Sequence, residues 1–345
     1  MKLWHNSVYI RIASALLLVL IATAVLREVR APIRAAADFE CSSASTERVD
    51  IAIEAGATGS DIAQLLFDAG VVQSSEAYFR VAVGDVRSAK VAPGTHTLSP
   101  HICAKDALDQ LLDARRIKGL ISITEGMWIT EVLPQMYAAG FAKGEVDLAI
   151  KNPALPQGFS TLEGLLFPAQ YSFESGSSAR KALDAMVKRA QEEMRKAGFF
   201  NAGKDFSPQQ LLTIASLIQA EGNTQDFTKI SAVIRNRLTI GMPLQFDSTV
   251  HYIKKSRGSV FLSTQSTLIN SPYNTYKRYG LPPGPINNPG QDALQAALRP
   301  ALGDWLYFIT VAPFDTRFTS SINEFNNWKL EYKKNLKAGK FRSSK

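Results

Sequence analysis

The spacing of apolar positions changes along the chain, and each change marks a different kind of segment. Val8–Leu26 reads VYIRIASALLLVLIATAVL, an apolar run in which Arg11 is the only charge. At about 1.5 Å per helical residue it reaches the ~30 Å of a bilayer core. From Ile51 the pattern alternates with period two, then shifts to helical spacing at Ile62, Leu65, Leu66 and Ala69 before Gly70. The same order returns 70 residues later: Ile121–Gly140 lies over Ile51–Gly70 with Ile, Ile, Gly, Ala and Gly at equal positions. Two strand–turn–helix units are predicted, either copies of one small module or a chance match of short elements.

From about Pro156 the texture becomes helical, with helices predicted at Ser178–Ala197, Pro208–Glu221, Asp226–Leu238 and Gln291–Leu298 and a strand at Asp304–Ala312. Between them run loops rich in Pro, Gly and Asn, and Ser271–Asn288 is long enough to suggest a binding surface rather than a connector. The fold class is therefore α+β. The expected divisions are an N-terminus with anchor over 1–34, a Ser/Ala-rich linker over 35–48, a small-module region over 49–155, a second domain over 156–328 and a basic tail over 329–345.

A chain of 345 residues that is 46% hydrophobic can bury the cores of about two domains. Its net charge of +8 would suggest a nucleic-acid binder if it were spread over one face. It sits instead at the ends. Lys2, Arg11, Arg27, Arg30 and Arg34 oppose Glu28, and seven Lys/Arg from Lys329 onward oppose Glu331, which leaves the body near neutral. Basic ends on a neutral body suit anionic lipid or an acidic wall polymer better than a duplex; a solvated tail is the plain alternative. The apolar run behind a basic start is an uncleaved anchor or a signal peptide, and only a weak small-residue cleavage site near Ala35–Ala37 supports the second.

Several motifs fail on their chemistry. Gly198–Lys204 has the glycine and lysine spacing of a phosphate loop, yet Asp205 follows where a magnesium-holding hydroxyl belongs. Ser178–Lys181 is an S-x-x-K without the companion S-D-N or K-T-G. His96, His101 and Cys103 lack a fourth ligand, and no metal site or cofactor is expected. With Cys41 and Cys103 alone, no disulfide scaffold is possible.

The segment SPQQLLTIASLIQAEG carries the chemistry. Ser207, Pro208 and Gln210 form a capping box that fixes the helix start. Leu211, Ile214, Leu217 and Ile218 define an apolar face, and Glu221 extends that face at the last turn before Gly222. The negative helix pole and partial burial both disfavour ionisation, which suits a general acid. The competing reading ties Glu221 to Arg235 or Arg237 of the next helix.

IASLIQAEG, ISAVIRNRLTIGMPLQFDSTVHYI, SPYNTYKRYGLPPGPINNPG and ALRPALGDWLYFITV, in this order, resemble the endolytic peptidoglycan transglycosylases, the MltG or YceG-like family, over nearly the whole chain. Many members carry two glutamates in this helix; here the first is Gln219, so the resemblance gives the catalytic position to Glu221. It implies a membrane anchor at Val8–Leu26, a LysM-like small module and a mixed α+β catalytic domain outside the cytoplasm at the inner or plasma membrane. The implied substrate is the glycan strand of peptidoglycan, cleaved between N-acetylmuramic acid and N-acetylglucosamine with a 1,6-anhydro end. Peptidoglycan synthases of the penicillin-binding class are the implied partners, with no nucleic acid. Sugar contacts are expected from Gln245, Asp247 and Thr249, alternating along QFDST, and from Asn274, Thr275 and Tyr276; each has a turn-capping alternative. LPPGPINNPG is expected to form a rigid cleft wall. In an exported, oxidising compartment Cys41 and Cys103 can pair. Two other functions stay open: a non-catalytic glycan-binding scaffold, and an inverting hydrolase in which Asp247 activates water.

Overall fold

The computed structural model describes residues 36–41, 46–54, 56–174, 176–201, 205–257 and 263–341. Val8–Leu26 and the end of the phosphate-loop-like stretch Gly198–Lys204 lie outside them. Among the described residues no helix is long and apolar enough to cross a membrane. The chain divides into two compact units between Arg116 and Ile117.

The first unit runs β1 (Val49–Ile53), α1 (Gly59–Asp68), α2 (Ser75–Gly84), β2 (Gly94–Leu98) and α3 (Ala104–Leu112). β1 and β2 pair antiparallel from Val49↔Leu98 to Ile53↔Gly94. Ile51 and Ile53 therefore point to one face and meet Ile62, Leu66, Leu98 and Leu108 in a single core. The expected linker is partly docked. Cys103, at the N-cap of α3, supplies no side-chain cap bond. Asp38 takes that role, its carboxylate accepting from the Ala104 amide at 3.0 Å, and Cys41 is disulfide-bonded to Cys103. His96 is buried with Nε2 on the Ala92 carbonyl at 2.8 Å, and burial pushes its pKa down.

The second unit runs β3 (Leu120–Ile123), α4 (Ile129–Ala138), α5 (Lys143–Lys151), β4 (Ala169–Ser172), α6 (Ala179–Ala197), α7 (Pro208–Glu221), α8 (Phe227–Thr239), α9 (Asp247–Lys254), the single turn α10 (Thr264–Thr267), α11 (Gln291–Leu298), β5 (Tyr307–Ala312), β6 (Asp315–Thr319) and α12 (Ile322–Lys337). The boundary falls at Ile117 rather than Pro156 because β3 pairs antiparallel with β4, Ile121 opposite Tyr171. Ile121, Val132 and Met136 then join the core that surrounds α7. Both strand–turn–helix units form, but one lies in each compact unit, so they are not two copies of one module region. Residues 329–337 are no tail either: they continue α12, whose buried Asn335 donates to the Val311 carbonyl of β5 at 2.8 Å.

α7 starts as its capping box dictates, Ser207 Oγ accepting from the Gln210 amide and Gln210 Oε1 from the Ser207 amide at 2.8 Å. Every residue from Leu211 to Ile218 is buried, so the helix is covered on all sides rather than on one apolar face. Thr213 and Ser216 tolerate this because their hydroxyls donate to the Gln209 and Thr213 carbonyls. The helix stops at Gly222, where a Cβ would come within 2.3 Å of Ile230 on α8.

Candidate active site

The last turn of α7 delivers Glu221, half-buried, to the first turn of α9. Ser248 donates its hydroxyl to Glu221 Oε1 at 2.5 Å, and its amide also bonds the carboxyl. Burial pushes the Glu221 pKa up to about 7; the Asp247 carboxylate pushes the same way, against the Ser248 bonds and the more distant Arg237 charge. At neutral pH a substantial fraction therefore carries a proton available for transfer.

The arginine alternative does not form. Arg237 donates from Nε to the Leu306 carbonyl at 2.6 Å and also to the Leu244 carbonyl, beneath the rings of Phe246 and Tyr307. Arg235 donates to the Ala297 carbonyl and stacks on Phe206. Among the described residues no ion pair reaches Glu221.

The expected sugar-contacting residues separate into two groups. Asp247 is exposed beside Glu221 and accepts from the Tyr276 hydroxyl at 2.5 Å, so these two join the site. Burial and the Asp247 carboxylate both raise the Tyr276 pKa, which keeps the phenol a donor. Gln245 is exposed, its backbone held at φ 52° with its amide on the Thr275 carbonyl. Thr249, Asn274 and Thr275 are fully buried and spent on the fold. The Thr249 hydroxyl donates to the Phe246 carbonyl and contacts Thr275 Oγ1, which accepts from the Phe246 amide. Asn274 donates to the Thr267 and Ile269 carbonyls and accepts from the Tyr276 amide. These three hold the loop and present no free polar atom to a sugar. The alternation along QFDST fails because the helix begins at Asp247, and that turn brings Ser248, unmarked in the sequence reading, onto Glu221.

A cavity of about 370 Å³ opens beside Ser248, lined among others by Trp128, Gln219, His251, Ile286 and Asn287. Ile286 and Asn287 of the LPPGPINNPG segment form part of its wall, and the segment is stapled to α7 by four bonds: Gln209 Nε2 to the Pro283 carbonyl, Ile286 amide to Ser216 Oγ, Asn287 Nδ2 to the Ser216 carbonyl, and Gly290 amide to Gln219 Oε1. A Cβ at position 290 would fall 1.9 Å from Glu125 Oε1, so any larger residue there must displace that side chain. Arg257 lies 4.1 Å over the Trp128 ring and forks onto Glu131. Glu163, also unmarked, is buried behind this wall and accepts from the Ile129 amide and the Tyr252 hydroxyl.

Residues 51–331 match the YceG-like family. The endolytic murein transglycosylase of Bacillus subtilis (strain 168) is 40% identical over 174 residues, covering 50% of this chain and 48% of its own. Endolytic murein transglycosylases of two Streptococcus pneumoniae strains are 35% identical over 153 residues, 43% of this chain and 28% of theirs. The chain thus spans less than half the length of these relatives. The crystal structure of a yceG-like protein from Listeria monocytogenes superposes with a TM-score of 0.55 at 28% identity, covering 82% of this chain and 99% of that one. A match that runs from β1 into α12, and so takes in Glu221, Ser248 and the cavity beside them, makes this chain a member of the YceG-like family.

Proposed function

We propose that this protein is a lytic transglycosylase that cleaves the β-1,4 bond between N-acetylmuramic acid and N-acetylglucosamine in peptidoglycan, with Glu221 as general acid and then general base. One observation carries the reading: a carboxyl held by Ser248, free of any ion pair among the described residues and poised near pH 7 beside a sugar-sized cavity. Glu221 gives its proton to the glycosidic oxygen as the bond to the muramyl anomeric carbon breaks. The muramyl 6-hydroxyl then closes on that carbon and returns its proton to Glu221. Because the nucleophile belongs to the substrate, one protein carboxyl suffices, unlike the pair of most glycoside hydrolases. The names of the similar bacterial proteins support the substrate class.

The decisive experiment is Glu221→Gln with mass spectrometry of digested glycan strands. The amide keeps the shape but cannot exchange a proton, so release of 1,6-anhydro ends should fall by roughly 10²–10⁴-fold with folding intact. An undiminished rate would remove Glu221 from the reaction, and the scaffold reading expects no turnover to lose. Asp247, exposed next to Glu221, keeps the inverting hydrolase as a second reading, which predicts a reducing muramyl end instead.

The anchor, the compartment and the partners belong to the same proposal. The apolar run Val8–Leu26 supports a single-pass anchor with both units outside the cytoplasm, and the β1-α1-α2-β2 order supports a LysM-like module that positions glycan near a peptidoglycan synthase. A reporter fused at Lys345 should behave as exported, whereas a mature N-terminus near Ala35 would replace the anchor with a signal peptide.

A further inference from the structure

Two side-chain amides line the cavity beside Ser248, and backbone partners fix the orientation of each. Asn287 is 2% exposed and its Nδ2 donates to the Ser216 carbonyl at 2.8 Å. Only a nitrogen can face that carbonyl, so Oδ1 takes the other position, where it is buried without a hydrogen-bond partner. Gln219 is the mirror case. Its Oε1 accepts from the Gly290 amide at 2.9 Å, which leaves Nε2 with no acceptor among the described residues. The two lining amides thus carry one unmet acceptor, closed off from solvent, and one unmet donor, beside apolar Ile286 and the Trp128 ring. A buried unpaired acceptor is costly, and a ligand N–H would remove that cost.

An acetamido group has the matching set: an N–H donor, a carbonyl acceptor and a methyl. We infer that this cavity is the recognition pocket for the 2-acetamido group of the muramyl residue whose anomeric carbon is attacked, with Asn287 Oδ1 accepting from its N–H, Gln219 Nε2 donating to its carbonyl, and Ile286 and Trp128 covering its methyl. The muramyl sugar is chosen over its neighbour because its C2 substituent is bonded next to the reacting carbon, and the cavity adjoins the serine that holds Glu221. The inference rests on the transglycosylase reading and adds to it the residues that read the sugar. A hydroxyl or free amine in place of the acetamide would leave Oδ1, Nε2 or both unmet.

Binding to the Glu221→Gln protein tests it without turnover. The probes are a murein tetrasaccharide and the same tetrasaccharide with its muramyl amines freed of acetyl. Removal of acetyl should weaken binding by about 100-fold, the loss of two hydrogen bonds and a buried methyl. The cavity holds Glu125 and Arg257, charges of opposite sign, so the new ammonium meets attraction from one and repulsion from the other. Adding Asn287→Ala or Gln219→Leu should each shrink the acetyl preference about tenfold, with far-UV circular dichroism checking the fold. Equal affinity for the two probes overturns the acetamido assignment and leaves the transglycosylase reading standing. A preference that neither folded variant alters overturns the assignment to these two residues. Binding of neither probe counts against the transglycosylase reading itself.

Discussion

Ser248 donates to Glu221 Oε1 over 2.5 Å, joining the last turn of one helix to the first turn of another 27 residues further along. Opposing influences meet at this contact. Burial raises the carboxyl's pKa, the Ser248 bonds lower it, and the Asp247 charge next in sequence raises it again. The resulting value of about 7 is a balance, so each polar neighbour can be removed with a predictable sign.

Ser248→Ala deletes a bond that favours the charged form. The Glu221 pKa should rise, and the alkaline limb of the pH–rate profile, where the acid loses its proton, should move to higher pH. Turnover should also drop, by roughly tenfold, because the carboxyl loses the bond that fixes its orientation. A pH profile of 1,6-anhydro release reads both effects; a limb moving to lower pH would contradict the role given to Ser248.

Asp247→Asn should move the same limb the other way. Removing the negative charge relieves the repulsion that disfavours ionised Glu221, so its pKa falls and activity declines at lower pH. If Asp247 acts only through that charge, the rate loss should be far smaller than for Glu221→Gln. A loss as large as that of Glu221→Gln, with reducing ends among the wild-type products, would favour the inverting mechanism. Tyr276→Phe should reproduce little of either effect on Glu221, since its hydroxyl reaches Asp247 and not Glu221.

The helix of Glu221 was legible in the sequence to the residue, because Ser207, Pro208, Gln210 and Gly222 are local signals that act through the backbone they sit in. The partners of Glu221 were not. Thr249, Asn274 and Thr275 looked like sugar ligands from their chemistry, but polar side chains in a long loop serve buried backbone groups equally well, and the choice is made by packing. Ser248 and Glu163 carry no local signature at all, since their roles come from contacts 27 and 34 residues away. The domain boundary was misplaced for a similar reason: the pairing of Ile121 with Tyr171 is long-range and leaves no periodic trace.

The Cys41–Cys103 bond gives a separate test in the first unit. It closes a span of 62 residues and holds Asp38 where it caps α3. Chain entropy alone assigns such a closure roughly 4 kcal/mol. Replacing both cysteines by serine should speed hydrogen exchange of the α3 amides and leave those of α7, in the other unit, at their wild-type rates. Equal protection of α3 in both proteins would show that the Asp38 cap and the core suffice without the bond.

Glu163 makes the last prediction, on stability rather than rate. It is 3% exposed, with Oε1 accepting from the Ile129 amide at the start of α4 and Oε2 from Tyr252 on α9. Burial outweighs both hydrogen bonds and lifts its pKa from 4.5 to about 7. The folded protein therefore holds a proton that the unfolded chain releases near pH 4.5, so this group's contribution to stability is complete below that value and is lost as pH rises through about 7. The separation converts to roughly 3 kcal/mol between the two limits. Glu163→Gln keeps an oxygen for the Ile129 amide and a polar group for Tyr252 but cannot ionise. Urea unfolding at pH 5 and pH 8 should show the wild type losing stability between them and the variant losing less, ending the more stable of the two at pH 8. Glu221 titrates in the same window with the same sign, so the comparison is best made in the Glu221→Gln background, where Glu163 alone of the pair remains to titrate. Parallel losses in the two proteins would mean that Glu163 reaches solvent and that its burial does not set the pH dependence.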